Sequence, residues 1–163
     1  MIFAGIDPGK KGHIAIVDAR GECISDHKMP FTGKDLNCAK LASILSDVDG
    51  IALERVWAMP GGGERKPGAS STFSFGLTYG AIWATVTLTG IPLLNPTPQS
   101  WQKAIVGKRP KGQSTKEASR FLAAEKHAKH AQRFRKVKAS ADFADALHLA
   151  EFARLHFLQG AVE

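Results

Sequence analysis

The chain has 163 residues, 44% hydrophobic and 23% charged, with a net charge of +7. That is enough for one domain with a substantial core over residues 1–163, and it excludes a disordered or fibrous protein. Cys23 and Cys38 have no metal-site spacing, suit a reducing compartment, and are expected in or near the core. The N-terminal run has no basic leader and does not read as a signal peptide, so a cytoplasmic location is expected.

The opening "MIFAGIDPGKKGHIAIVD" reads as two strands, 2–7 and 12–18, the first running straight into Asp7. A third strand over 22–29 follows "DARG", which has the chemistry of a hairpin turn. The apolar spacing of "KDLNCAKLASILSDV" predicts a helix over 34–48. "GIALE" at 50–54 is a compact apolar strand that again ends in a carboxylate, Glu54. "AMPGGGERKPGASS" at 58–71 is a loop by composition. The helix expected over 72–89 carries Gly76, Gly80 and Ala84 four apart, a spacing that lets another helix or sheet approach closely. Ser and Thr interrupt it too often for a convincing membrane span. "IPLLN" is a short strand. "TPQSWQKAIV" starts a helix with proline at its front, and "STKEASRFLAAEKHA" another, capped by Ser114 or Thr115 with Glu117 close behind. Residues 128–139 are basic and poorly periodic, and "SADFADALHLAEFARLHF" is the final helix. Hairpin strands followed by strand–helix units imply a mixed five-stranded sheet flanked by helices.

The charge is uneven. Between Lys103 and Lys138 stand 12 Lys or Arg against only Glu117 and Glu125, so this window carries +10 of a total of +7 and the remainder is mildly acidic. A basic segment on an acidic body suggests a polyanion partner, and the window lacks the broad apolar face of a membrane-lying helix. A solvated helix face is the plainer alternative. His127 and His130 belong to that basic surface more readily than to a metal pair.

Two strands end in acids, and the final helix adds more. At 100° per residue, Asp142 falls inside the arc of Phe143, Ala146, Leu147, Ala150 and Ala153, with Asp145 just beside it. Asp-Pro-Gly turn chemistry could account for Asp7, and an acid in a first helical turn could account for Asp142. Neither accounts for four acids at the ends of elements. If the two strands are parallel neighbours and the final helix crosses their edge, the carboxylates of Asp7, Glu54, Asp142 and Asp145 meet. Like charges so placed call for cations. An all-oxygen donor set favours Mg²⁺ or Mn²⁺ over Zn²⁺, and two such ions suit in-line attack on a phosphodiester.

The segments "GIDPGKKGHIAIV", "ALERVWA", "QKAIVGKRPKGQSTKEA" and "ADFADALHLAEFA", in this order and spacing, resemble the RuvC family of Holliday junction resolvases over almost the whole chain. The resemblance implies a ribonuclease H-like fold, a homodimer, and Mg²⁺-dependent cutting of four-way branched DNA with no small-molecule cofactor. It implies metal and catalytic roles for Asp7, Glu54, Asp142 and Asp145, and places Lys116 near the scissile phosphate. Trp57 would stack on a base near the cut and the 72–89 helix would lie at the dimer interface. Together with the basic window it gives DNA contacts to Trp57, Arg65, Lys66, Lys103, Lys108, Arg109 and Lys111. The 58–71 loop is longer than in the bacterial enzymes and looks more like that of phage or mobile-element relatives. A YqgF-type ribonuclease H-like nuclease acting on RNA or other branched nucleic acid is the nearest alternative. A sugar kinase or actin-type ATPase would need two such domains, and a non-catalytic DNA-binding protein would leave the four acids unexplained.

Overall fold

The computed structural model describes residues 1–56, 68–108, 112–135 and 141–160. The strands β1 (Ile2–Asp7), β2 (His13–Asp18) and β3 (Cys23–Lys28) form an antiparallel meander. Asp18 organises the second turn, its Oδ1 accepting from the backbone N–H groups of Arg20 and Glu22 at 2.9 Å each. The strand β1 is buried without interruption from Phe3 to Ile6, the pattern of a strand covered on both faces.

The helix expected over 34–48 is shorter than its periodicity suggests. Phe31–Thr32 (β4) and Asp35–Leu36 (β5) instead pair as a tight hairpin around Gly33, whose φ of 64° suits glycine. The helix α1 runs only over Cys38–Ile44, capped by Asn37, whose side chain accepts from the Lys40 N–H at 2.9 Å. Leu36 matched the helical spacing because it packs on the same core from a strand.

The strand β6 (Gly50–Leu53) lies parallel to β1, and β7 (Leu93–Leu94) parallel to β6, giving a five-stranded mixed sheet in the order β3-β2-β1-β6-β7. Around it lie α2 (Ala69–Leu88), α3 (Pro98–Ile105), α4 (Thr115–Lys126), a single 3₁₀ turn over 128–130, α5 (Ala131–Phe134) and α6 (Ala141–Gln159). The helix α4 begins with a capping box: Ser114 and Glu117 bond each other's backbone N–H.

Alternation along the strands divides the core in two. Phe3, Val17 and Ala52 pack with Trp101, Phe143 and Leu147 under α3 and α6. Ala4, Ile14 and Leu53 pack with Leu41, Ile82 and Val86 under α1 and α2. The helix and sheet meet closely at Gly5, where a Cβ would collide with the α6 backbone at Ala146 and Ala150. Only glycine lets α6 lie so directly on β1.

Among the described residues, the small-residue spacing of α2 serves no packing inside the chain. Gly76, Gly80 and Ala84 are exposed, and a Cβ on either glycine would meet nothing within 4 Å. The same helix exposes Phe73, Phe75, Leu77, Trp83 and Leu88. Of the cysteines, Cys38 is exposed, against expectation, because it opens α1 on its outer face; Cys23 is half-buried, and burial pushes its thiol up to about 11. Among the described residues no helix is long and apolar enough to cross a membrane.

Candidate active site

The parallel register pairs Ile6 with Leu53, and the Glu54 N–H continues the ladder by donating to the Ile6 carbonyl at 3.1 Å. Asp7 and Glu54 therefore leave neighbouring strands side by side. The helix α6 packs across β1, β2 and β6, which brings Asp142 in its first turn and Asp145 one turn later over the same sheet end. The four carboxylates act on one another. Burial, then the charges of Asp145, Glu54 and Asp142, hold Asp7 well above the usual carboxylate range; the Lys116 ammonium opposes them. Burial and Asp145 raise Glu54 against a stabilising hydrogen bond from Trp101. Burial raises Asp145 and Asp142 adds to it, against Ser119 and Lys116. The helical wheel put Asp142 innermost with Asp145 just beside it; in the fold it is Asp145 that a neighbouring element holds, through the Ser119 hydroxyl on α4.

This donor set is all oxygen and crowded with negative charge, so its chemistry fits a hard divalent cation. Among the described residues, no group of three or more His, Cys, Asp or Glu stands ready-formed as a ligand set.

Behind the carboxylates stand three side chains that sequence reasoning missed. Trp101 on α3, 1% exposed, donates its Nε1–H to Glu54 Oε1 at 2.8 Å. Ser119 on α4 donates its hydroxyl to Asp145 Oδ1 at 2.6 Å. His148 on α6 donates Nε2–H to the Ser119 carbonyl at 2.9 Å and stacks on Trp101 with ring centroids 6.2 Å apart. Burial pushes the His148 imidazole down to about 4, so it is neutral at pH 7. The partners are 26 to 47 residues apart in sequence, and no local pattern marks them.

The sequence matches no protein-family model and no curated protein. The fold does match solved structures. RuvC of Thermus thermophilus superposes with a TM-score of 0.63 at 18% identity, over 98% of this chain and 97% of that one. RuvC of T. thermophilus in complex with a Holliday junction substrate gives 0.62 at 16%, over 99% and 96%. The fowlpox virus Holliday junction resolvase gives 0.57 at 16%, over 99% of each chain. The fold is RuvC-like. It is thus the ribonuclease H-like α/β architecture expected from the sequence.

On this RuvC-like frame Lys103 and Lys108 flank a concavity of about 460 Å³ between the end of α3 and the start of α4, lined also by Gln102 and Thr115. Lys116 follows at once, exposed in the first turn of α4. Part of the basic window serves the fold instead. Arg133 makes a two-pronged ion pair with Asp26, at 2.7 and 2.8 Å, and lies 4.1 Å over the Phe143 ring. His127 is buried, while His130 is partly buried and meets the Phe143 ring edge-on. Trp57, Arg65, Lys66, Arg109 and Lys111 lie outside the described residues.

Proposed function

We propose that this chain is a metal-dependent endonuclease that resolves four-way DNA junctions in the cytoplasm. The observation that carries the reading is the convergence of Asp7, Glu54, Asp142 and Asp145 at one end of a RuvC-like sheet, with Lys116 beside them. The four carboxylates would hold two Mg²⁺ ions, or Mn²⁺ in their place, which when bound supply the positive charge that in-line attack of water on a phosphodiester requires. Lys116 would draw the scissile phosphate to the cluster. Lys103 and Lys108, with Arg109, Lys111, Arg65 and Lys66, would hold backbone phosphates on either side. Trp57, three residues beyond Glu54, would stack on an unpaired base near the cut. A junction has two-fold symmetry and needs two matched nicks, which a homodimer joined through the exposed apolar face of α2 would deliver. The structural neighbour holding a Holliday junction substrate supports this substrate class.

The test is cleavage of synthetic four-way junctions with Mg²⁺, against linear duplex. Paired symmetric nicks in the junction alone are expected, with Asp7→Asn and Glu54→Gln binding it but leaving it uncut. Undiminished cleavage by either variant, or equal cutting of linear duplex, overturns the proposal. Preferential cutting of structured RNA would favour a YqgF-type activity instead.

A further inference from the structure

Trp101, Ser119 and His148 are each 1% exposed, and together they link two of the carboxylates through the interior. Glu54 leaves the end of β6 and Asp145 projects from α6, so no backbone connection fixes their separation. The Asp145 charge raises the cost of ionising Glu54, and two like charges held only by flexible side chains would splay apart. The buried residues oppose this at both ends. The indole N–H holds Glu54 Oε1 at 2.8 Å, and the Ser119 hydroxyl holds Asp145 Oδ1 at 2.6 Å. The imidazole of His148 joins the halves, bonded to the Ser119 carbonyl at 2.9 Å and stacked on Trp101. One oxygen of each carboxylate is engaged, and both donors are neutral, so neither competes with a cation for charge.

We infer that Trp101, His148 and Ser119 are positioning residues: a buried bracket that sets the Glu54–Asp145 separation and thereby the affinity of the site for divalent cations. The inference rests on the proposed metal-dependent reading of this cluster. Carboxylates already held in place lose less freedom when a cation binds, so the bracket lowers the cost of binding. Removing groups that orient metal ligands typically weakens binding about 10–100-fold.

The experiment titrates the full chain with Mn²⁺ in the absence of DNA, by calorimetry and by the loss of the free-ion paramagnetic resonance signal. Ser119→Ala removes only the hydroxyl, and Trp101→Phe removes the N–H while keeping an aromatic ring. Each is expected to weaken Mn²⁺ binding about 10-fold or more, to leave metal-free junction binding unchanged, and to recover cleavage as Mn²⁺ is raised. Ser119→Thr, which keeps a hydroxyl, should retain wild-type affinity. A lowered melting temperature with unchanged Mn²⁺ affinity would mean that these residues only fill the core, and would overturn the inference. Should Trp101→Phe fail to fold, Ser119→Ala decides alone. Glu54→Gln separates the two readings: if it binds Mn²⁺ as tightly as the wild type, the metal site itself is wrong; if it does not while Ser119→Ala does, only the bracket is wrong.

Discussion

Burial and three neighbouring carboxylates keep Asp7 protonated to higher pH than a free aspartate, and Lys116 offsets only part of that effect. The unfolded chain loses this proton near 3.8, the folded chain well above it. Between those values the folded state binds more protons, so stability falls as pH rises through the window. Asp7→Asn abolishes the penalty. The variant should therefore melt higher than the wild type at pH 8 without divalent ions, and the gap should close as pH approaches 4. Mg²⁺ should raise the wild-type melting temperature and leave Asp7→Asn little changed, since a ligand of the native state stabilises in proportion to its binding. A variant that melts lower than the wild type at pH 8 would contradict this account. Asp7 and Glu54 were legible in the sequence because a strand that ends in an acid is visible locally. Trp101 and Ser119 were not, since each finds its carboxylate across a distance that only tertiary folding closes.

Among the elements, α6 was placed correctly by its apolar run, and the β2–β3 hairpin by its turn residues, because both signals are contained within a few residues. The start of α1 was not: Asn37 and Gly33 end one structure and begin another inside a stretch of unbroken helical spacing. Periodicity reports which residues face the core, and Leu36 faces it from a strand. What the wheel could not give was the seat of α6, which depends on how deeply the helix sinks onto β1. Gly5 decides that depth. Gly5→Ala puts a methyl group into the α6 backbone and should cost roughly 3 kcal/mol or more, at the upper end of overpacking penalties. Urea denaturation would measure it. A loss below about 1 kcal/mol would mean that α6 can rise from the sheet with little penalty, and the variant should then retain a native-like near-ultraviolet spectrum.

For the molecule as a whole, the exposed face of α2 is a feature that the described fold leaves uncommitted. Gly80 has open space around it among the described residues, so Gly80→Leu meets no clash with them and replaces the weakest ordinary helix former with one of the best. The variant's melting temperature should hold or rise when measured as a monomer. In the proposed dimer the added side chain would force the two copies apart, and sedimentation at micromolar concentration should show the wild type as a dimer and Gly80→Leu shifted to monomer. A wild type that sediments as a monomer, alone and on junction DNA, would remove the dimer from the proposal. One more consequence follows from the seat of α6 on β1 at Gly5. Asp7 and Glu54 leave the ribosome at least 88 residues (142 − 54) ahead of Asp142 and Asp145, and a helix cannot dock before it has been synthesised. Until Asp142 and Asp145 are made, then, the nascent chain holds at most half a set of carboxylates and no helix to bring the others in. Under the proposed function, the order of synthesis is itself a safety catch: a partly made chain, however long it is stalled beside nucleic acid, has nothing with which to cut it.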